Sequence, residues 1–280
     1  MKIKLCTDST ADLSPEQIRE HDIHVFPLGV VKDGKAYRDR VDITPDDICD
    51  HVDNGGALCS TSANNVDDYD EKLQEFAPAY DAVIIVTIGS KFSTCYQNAM
   101  TAAKGYQNVY VVDSANLSTG QGLVVMLIAR LIREGKDIDT ILAEVDAALP
   151  RVEASFILDQ LAYMKKGGRC SSVTLLGANL LKIKPCIKVK DGAMGVSEKY
   201  RGQFGKCLEG YIKERLEGRD DLDTSLIFIT HSRLDPRYVE QARALIDQYQ
   251  HFDEVVETEA GCTVTCHCGP GTLGILFMHK

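Results

Sequence analysis

Two hydrophobic rhythms alternate along the first half of this chain. Short runs that are apolar at nearly every position occupy residues 3–6, 24–31, 82–88 and 109–112, whereas residues 67–76, 96–104, 123–133 and 138–149 space their apolar side chains at helical intervals. Strands that are apolar throughout, rather than at every second residue, are covered on both faces. Strands alternating with helices predict a parallel sheet with helices on both sides. The helix starts carry local signals. Ser14-Pro15-Glu16-Gln17 supplies a capping hydroxyl, a proline at the first helical position and a glutamine three residues after the cap, and Thr44-Pro45-Asp46-Asp47 repeats the device more weakly. Asp33-Gly34 predicts a turn after the strand at 24–31.

The second half is patterned differently. A strand at 155–158 is followed by a helix at 160–166 stopped by Gly167-Gly168, and by a second helix at 173–181. Runs at 186–190 and 193–199 flank Asp191-Gly192, a strong hairpin signal. A segment at 204–216, a strand at 225–230, a helix at 236–249 and strands at 254–258 and 273–277 complete a mixed arrangement. The expected architecture is therefore α/β in two domains, residues 1–155 around a mostly parallel sheet and residues 156–280 around a mixed one. A length of 280 residues exceeds the usual span of one core, which agrees with that division.

Composition narrows the function classes. With 44% hydrophobic and 26% charged residues the chain is an ordinary packed globule. A formal charge of −10 repels phosphate backbones, which excludes nucleic acid as the expected partner. Basic residues are nonetheless bunched at Lys165, Lys166, Arg169, Lys182, Lys184, Lys188, Lys190, Lys199 and Arg201, as either a basic face or a solvated surface. The most apolar stretch, 123–131, contains Arg130 and is shorter than the roughly 20 residues a bilayer span needs, so no stable membrane insertion is expected. Met1-Lys2-Ile3-Lys4-Leu5 leads directly into the first strand, which predicts a cytoplasmic protein. Ten cysteines in such a chain are expected to be reduced and buried. The cluster Cys262, Cys266, His267, Cys268 invites a zinc site, but in an extended segment His267 points away from both neighbouring cysteines, and no metal is expected.

Candidate chemistry sits in hydroxyl-rich turns: Thr7-Asp8-Ser9-Thr10, Ser60-Thr61-Ser62, and Gly89-Ser90-Lys91-Phe92-Ser93-Thr94, with Asp113-Ser114 after a further strand. Ligands in open α/β sheets bind beyond the carboxyl ends of strands, and hydroxyls beside free N–H groups suit an anion. Helix capping is the alternative use of the same residues. His267, just before Gly269-Pro270-Gly271, is either a hydrogen-bond donor, a base or a structural residue. Ser93, His267 and either Asp8 or Asp113 satisfy the parts list of a hydrolytic triad, although Ser93 lies outside any G-x-S-x-G elbow. Neither a Walker loop nor a G-x-G-x-x-G turn follows a strand, which argues against a nucleotide enzyme.

Taken in order, Asp8-Ser9-Thr10, Thr61-Ser62, Gly89-Ser90 with Ser93 and Tyr96-Gln97, Asp113-Ser114, Lys165-Lys166-Gly167-Gly168-Arg169, Lys184-Pro185 and His267-Cys268-Gly269-Pro270-Gly271 closely resemble the motif series of the DegV family of bacterial fatty-acid-binding proteins. The resemblance implies a tunnel between two α/β domains that holds a long-chain fatty acid and no cofactor. It also implies a function as the binding subunit of a fatty acid kinase, with a separate ATP-dependent subunit phosphorylating the carboxylate and no catalysis by this chain. By position, Thr61, Ser93 and His267 correspond to the carboxylate-binding residues, and Ser9, Ser62, Gly89, Ser90 and Ser114 to the supporting loops. Arg169 and Arg201 correspond to the kinase-docking surface. The chain departs from the family where Thr-Ser-Gln-Pro-Ser becomes Thr61-Ser62-Ala63-Asn64-Asn65 and where Lys91 and Phe92 replace small residues beside Ser93. A hydrolase built on Ser93 and His267, and a lipid sensor without a kinase partner, are the alternative readings.

Overall fold

The computed structural model describes residues 1–174 and 183–280 of the chain. Its first part runs β1 (Ile3–Asp8), α1 (Pro15–Glu20), β2 (His24–Phe26), β3 (Gly29–Lys32), β4 (Lys35–Arg38), α2 (Pro45–Asp53), β5 (Ser60–Ser62), α3 (Val66–Phe76), β6 (Ala82–Thr87), α4 (Cys95–Ala103), β7 (Val109–Asp113), α5 (Thr119–Arg133) and α6 (Ile138–Ala148). Four of these strands form a fully parallel sheet in the order β2-β1-β6-β7. Its apolar runs have the expected two covers. Cys6, Val83 and Ile85 pack against Tyr69 and Leu73 of α3 and Ala99 of α4, while Leu5, Ile84 and Val86 face Leu123 and Ile128 of α5.

Both capping boxes close. Ser14 Oγ accepts from Gln17 N at 3.2 Å and Gln17 Oε1 accepts from Ser14 N at 3.0 Å. Thr44 and Asp47 make the same exchange, so the second box is complete rather than weak. The strand expected over 24–31 is instead two. Pro27 has no N–H to offer a neighbouring strand, so β2 ends before it and β3 turns into a separate antiparallel sheet of order β4-β3-β5. The Ser60–Ser62 segment, expected as a turn, is drawn into that sheet as β5, with Thr61 opposite Val30.

The second part comprises β8 (Val152–Leu158), α7 (Ala162–Gly167), α8 (Ser171–Thr174), β9 (Ile183–Lys190), β10 (Ala193–Arg201), α9 (Phe204–Leu216), β11 (Leu222–Ser232), α10 (Pro236–Tyr249), β12 (Val255–Glu259), α11 (Cys262–Cys268) and β13 (Thr272–His279). The helix expected over 173–181 lies largely outside the described residues. The six strands form a mixed sheet, β10-β9-β8-β13-β11-β12, in which only β11 and β12 run parallel. The β9–β10 turn uses Asp191 and Gly192 at φ 51° and 70°, the paired positive values of a tight hairpin. One face of this sheet packs on α9 and α10 through Ile227, Ile229, Ile275 and Phe277.

Phe228, Leu276 and Met278, on the other face, join the cluster that contains α5. That helix lies between the two sheets and is buried nearly all round through Leu123, Val124, Val125, Ile128, Ala129 and Leu131. This is why 123–131 is the most apolar stretch of the chain. Among the described residues no helix is long and apolar enough to cross a membrane.

Candidate functional site

The helix α11 is the least predictable element. Its sequence, Cys-Thr-Val-Thr-Cys-His-Cys, is rich in poor helix formers, and its N-cap, Gly261, makes no side-chain cap. The helix is nucleated from outside by two buried carboxylates distant in sequence. Asp39 Oδ1 accepts from Cys262 N at 2.8 Å, and Asp39 Oδ2 accepts from Thr263 N at 3.0 Å, Thr263 Oγ1 at 2.7 Å and Ser9 Oγ at 3.0 Å. Asp12 accepts from Gly261 N at 2.7 Å and from Ser118 Oγ at 2.6 Å. Carboxylates suit the positive end of a helix. Burial nonetheless pushes the Asp12 carboxyl up to about 7, with Arg40 opposing the shift.

The helical state replaces the extended one considered for 266–268 and sorts the side chains. Cys262 and Cys266, one turn apart, enter a cluster with Val30, Ile48 and Cys59. Val264, His267 and Cys268 line a cavity of about 70 Å³. The polar side of that cavity is Thr61, Ser62, Ser93, Arg169 and His267; Ile88, Phe92, Leu117 and Met194 are on its apolar side. Thr61 Oγ1 lies 2.9 Å from His267 Nε2. Burial, helped by the charge of Arg169, holds the His267 imidazole down to about 4, so the ring is neutral near pH 7. Its Nδ1 is buried without a hydrogen-bond partner among the described residues and faces Gly167, where any Cβ would strike the ring. Ser93 Oγ accepts from Cys95 N at 3.3 Å and donates to Cys95 Sγ at 3.2 Å.

The remaining candidates shape the surroundings. Ser9 bonds Asp39 and accepts from Leu28 N at 3.1 Å, behind the cavity wall rather than in its lining. A Cβ at Gly89 would come within 2.9 Å of Asn116 N, so glycine lets two loops touch. Ser90 is exposed and its N–H donates to Asp113 Oδ1 at 3.0 Å; Ser114 Oγ donates to Asn116 O at 3.1 Å. Arg169 is exposed at the rim of the cavity and donates to Gly167 O at 2.8 Å. Arg201 is exposed at the end of β10, opposite Ile183 and outside the cavity lining. Within the basic stretch, Lys184 and Lys188 pair with Asp159 and Glu153.

The parts of a hydrolytic triad are present but not joined. Ser93 bonds Cys95, His267 bonds Thr61, Asp8 accepts from Ile88 N and the Gln121 amide, and Asp113 accepts from Ser90 N and Ala115 N. Among the described residues, no group of three or more His, Cys, Asp or Glu side chains is arranged to hold a metal ion.

A second cavity, of about 20 Å³, adjoins the first and shares Leu117, Val264 and Cys268 with it. Phe156, Val189 and Leu276 line it, and its hydroxyls are spent elsewhere, Thr230 on Thr119 at 2.6 Å and Ser232 on Thr265 at 3.0 Å. Among the described residues the interior thus presents a polar end followed by an apolar path in two adjoining chambers. Apart from Phe92 and Cys268, the apolar residues of this path and the two helix-capping aspartates were not singled out from sequence, because no local motif marks them.

The chain has counterparts in fold and sequence. A DegV family protein from Thermus thermophilus, described for its fatty acid binding, superposes with a TM-score of 0.91 at 29% identity over 100% of both chains. A DegV domain-containing protein of Clostridium acetobutylicum is 32% identical over 100% of this chain and 99% of its own length. A fatty acid-binding protein of Thermotoga maritima is 29% identical over 98% of this chain and 96% of its own. The sequence profile described as "Uncharacterised protein, DegV family" matches residues 2–280, and with that span covering the cavity, its hydroxyl loops and the helix that carries His267, the chain belongs to the DegV family.

Proposed function

We propose that this protein holds one long-chain fatty acid, tail inward and carboxylate at Thr61, Ser93 and His267, and presents it to a separate ATP-dependent kinase subunit. The observation that carries the reading is the convergence of those three donors, from three distant chain segments, at the polar end of an otherwise apolar cavity. Thr61 and Ser93 come from the lobe we assign to residues 1–155, His267 and Arg169 from 156–280, so the head group sits where the lobes meet. The DegV relatives described as fatty-acid binders support the ligand class.

Each buried methylene contributes about 0.8 kcal/mol, so a sixteen-carbon tail supplies on the order of 10 kcal/mol before ordering costs. The head group then mainly sets orientation. On arrival the carboxylate accepts from Thr61 Oγ1–H and His267 Nε2–H, which now lie 2.9 Å apart, and draws the Ser93 hydroxyl off Cys95. The Nε2–H tautomer leaves Nδ1 as a bare lone pair against Gly167, a smaller burden than an unpaired N–H. Because His267 is neutral, no permanent countercharge at that position competes for the acid. The chain itself does no chemistry in this scheme. Arg169 at the rim and Arg201 on β10 form the docking surface, where exposed guanidinium groups meet the kinase.

Lipid extraction followed by mass spectrometry should recover a fatty acid from purified protein. Thr61→Ala and Ser93→Ala should each weaken binding about 10- to 100-fold, the range for a hydrogen bond to a charged group, with the fold retained. Arg169→Glu should preserve fatty acid binding and slow phosphorylation by the kinase. Unchanged phosphorylation in all three variants would remove the proposal.

A further inference from the structure

We infer that Leu117, Val264 and Cys268 form a neck that sets acyl-chain length, with Leu117 as the movable member. The inference rests on the fatty-acid reading above. Among the described residues these three alone line both chambers, which places them between the one that holds Thr61, Ser93 and His267 and the one that runs on between the sheets. A water-sized group needs about 10–15 Å³ of such space, so a chamber of about 70 Å³ accepts several such groups and one of about 20 Å³ one or two. A short acid extends little beyond the first chamber, whereas a long one must pass the partition and enlarge the space beyond it.

The partition is stiff in its backbone. Val264 and Cys268 sit one turn apart on α11, whose N-terminus is tied to Asp39 and Asp12. Val264 is β-branched and nearly confined to one rotamer in a helix, and Cys268 is too small to swing far. The backbone of Leu117 is held by Leu117 N donating to Asn116 Oδ1 at 3.1 Å and Gly120 N donating to Leu117 O at 3.1 Å. Its side chain is the one long, unbranched-at-Cβ group of the three. Passage of a tail therefore depends on a rotamer change of Leu117, and the free energy of that change is charged only to acids long enough to reach it.

The test is a series of saturated acids from eight to eighteen carbons, with Kd measured for the full-length protein and two variants. Leu117→Ala opens the partition and should tighten hexadecanoic acid by roughly tenfold, the order expected from relieving a few buried carbons, while octanoic acid changes less than about twofold. Cys268→Leu narrows it and should weaken the long acids by a similar factor and spare the short ones. Thermal melts of both variants check that the fold is kept. A uniform shift across all lengths, or no shift, overturns the neck. Failure of the parent protein to bind any acid of the series instead overturns the fatty-acid reading, and the two failures are distinguishable.

Discussion

Replacing Asp39 by alanine should cost this protein a large part of its stability, although Asp39 touches no ligand. The carboxylate accepts four hydrogen bonds, from Ser9 Oγ, Cys262 N, Thr263 N and Thr263 Oγ1, and is 1% exposed. The two hydroxyls can rotate toward other acceptors; the two main-chain N–H groups at the start of α11 cannot. An unsatisfied buried donor costs about 1–3 kcal/mol, and losing a carboxylate at a helix N-terminus adds about 0.3–1 kcal/mol. The expected loss is about 2–7 kcal/mol, against the 5–15 kcal/mol typical of a whole domain. Asp39→Asn keeps the shape and three of the four acceptor contacts, with its amide N–H facing Cys262 N, so it should lose about 1–3 kcal/mol. Equilibrium unfolding in urea, with the m-value constant across variants, measures both. Because α11 also carries His267, carboxylate capture should fall in parallel. An alanine variant within about 1 kcal/mol of the parent, at the bottom of the range for even one orphaned donor, would refute external nucleation of α11.

His267 predicts a pH dependence of stability. Its folded value, near 4, lies below the ordinary 6.5, so its contribution is complete above pH 6.5 and is lost as pH falls toward 4. The loss is at most about 3 kcal/mol, and denaturant titrations at pH 7 and pH 4.5 should show a smaller acid drop in His267→Gln than in the parent. Lys91 Nζ donates to Asp191 O at 2.6 Å, fastening the tip of the β9–β10 hairpin to the loop before α4. Lys91→Ala should speed amide hydrogen exchange in that hairpin, and Asp191→Gly should not, because the acceptor is a main-chain carbonyl. Equal exchange in Lys91→Ala and the parent would show that the contact fastens nothing.

Elements with their own punctuation were legible from sequence. Ser14 and Thr44 announce their helices, Asp191-Gly192 its hairpin, and the uninterrupted apolar runs at β1, β6 and β7 a sheet covered twice. Elements defined by partners were not. β5 is a strand because β3 lies beside it, and α11 is a helix because Asp39, more than 200 residues upstream, accepts its N–H groups. Within the candidate site, Thr61, Ser93 and His267 were legible as a motif series and share one cavity. Ser9, from the same series, is spent on Asp39, a use that only the folded contact map reveals. Leu117 and Val264 look like any core residue, since a wall and a filling have the same composition.

The placement of α5 between two sheets also limits how this protein can be taken apart. Cut on either side of that helix, one fragment would keep a sheet whose inner face had lost its cover, and the other would carry a greasy helix with only one side occupied. A chimera joining the first half of this chain to the second half of a relative inherits the same difficulty: α5 must suit both neighbours at once, so its side chains have to be exchanged as a matched set with β8, β11 and β13 rather than with either half alone.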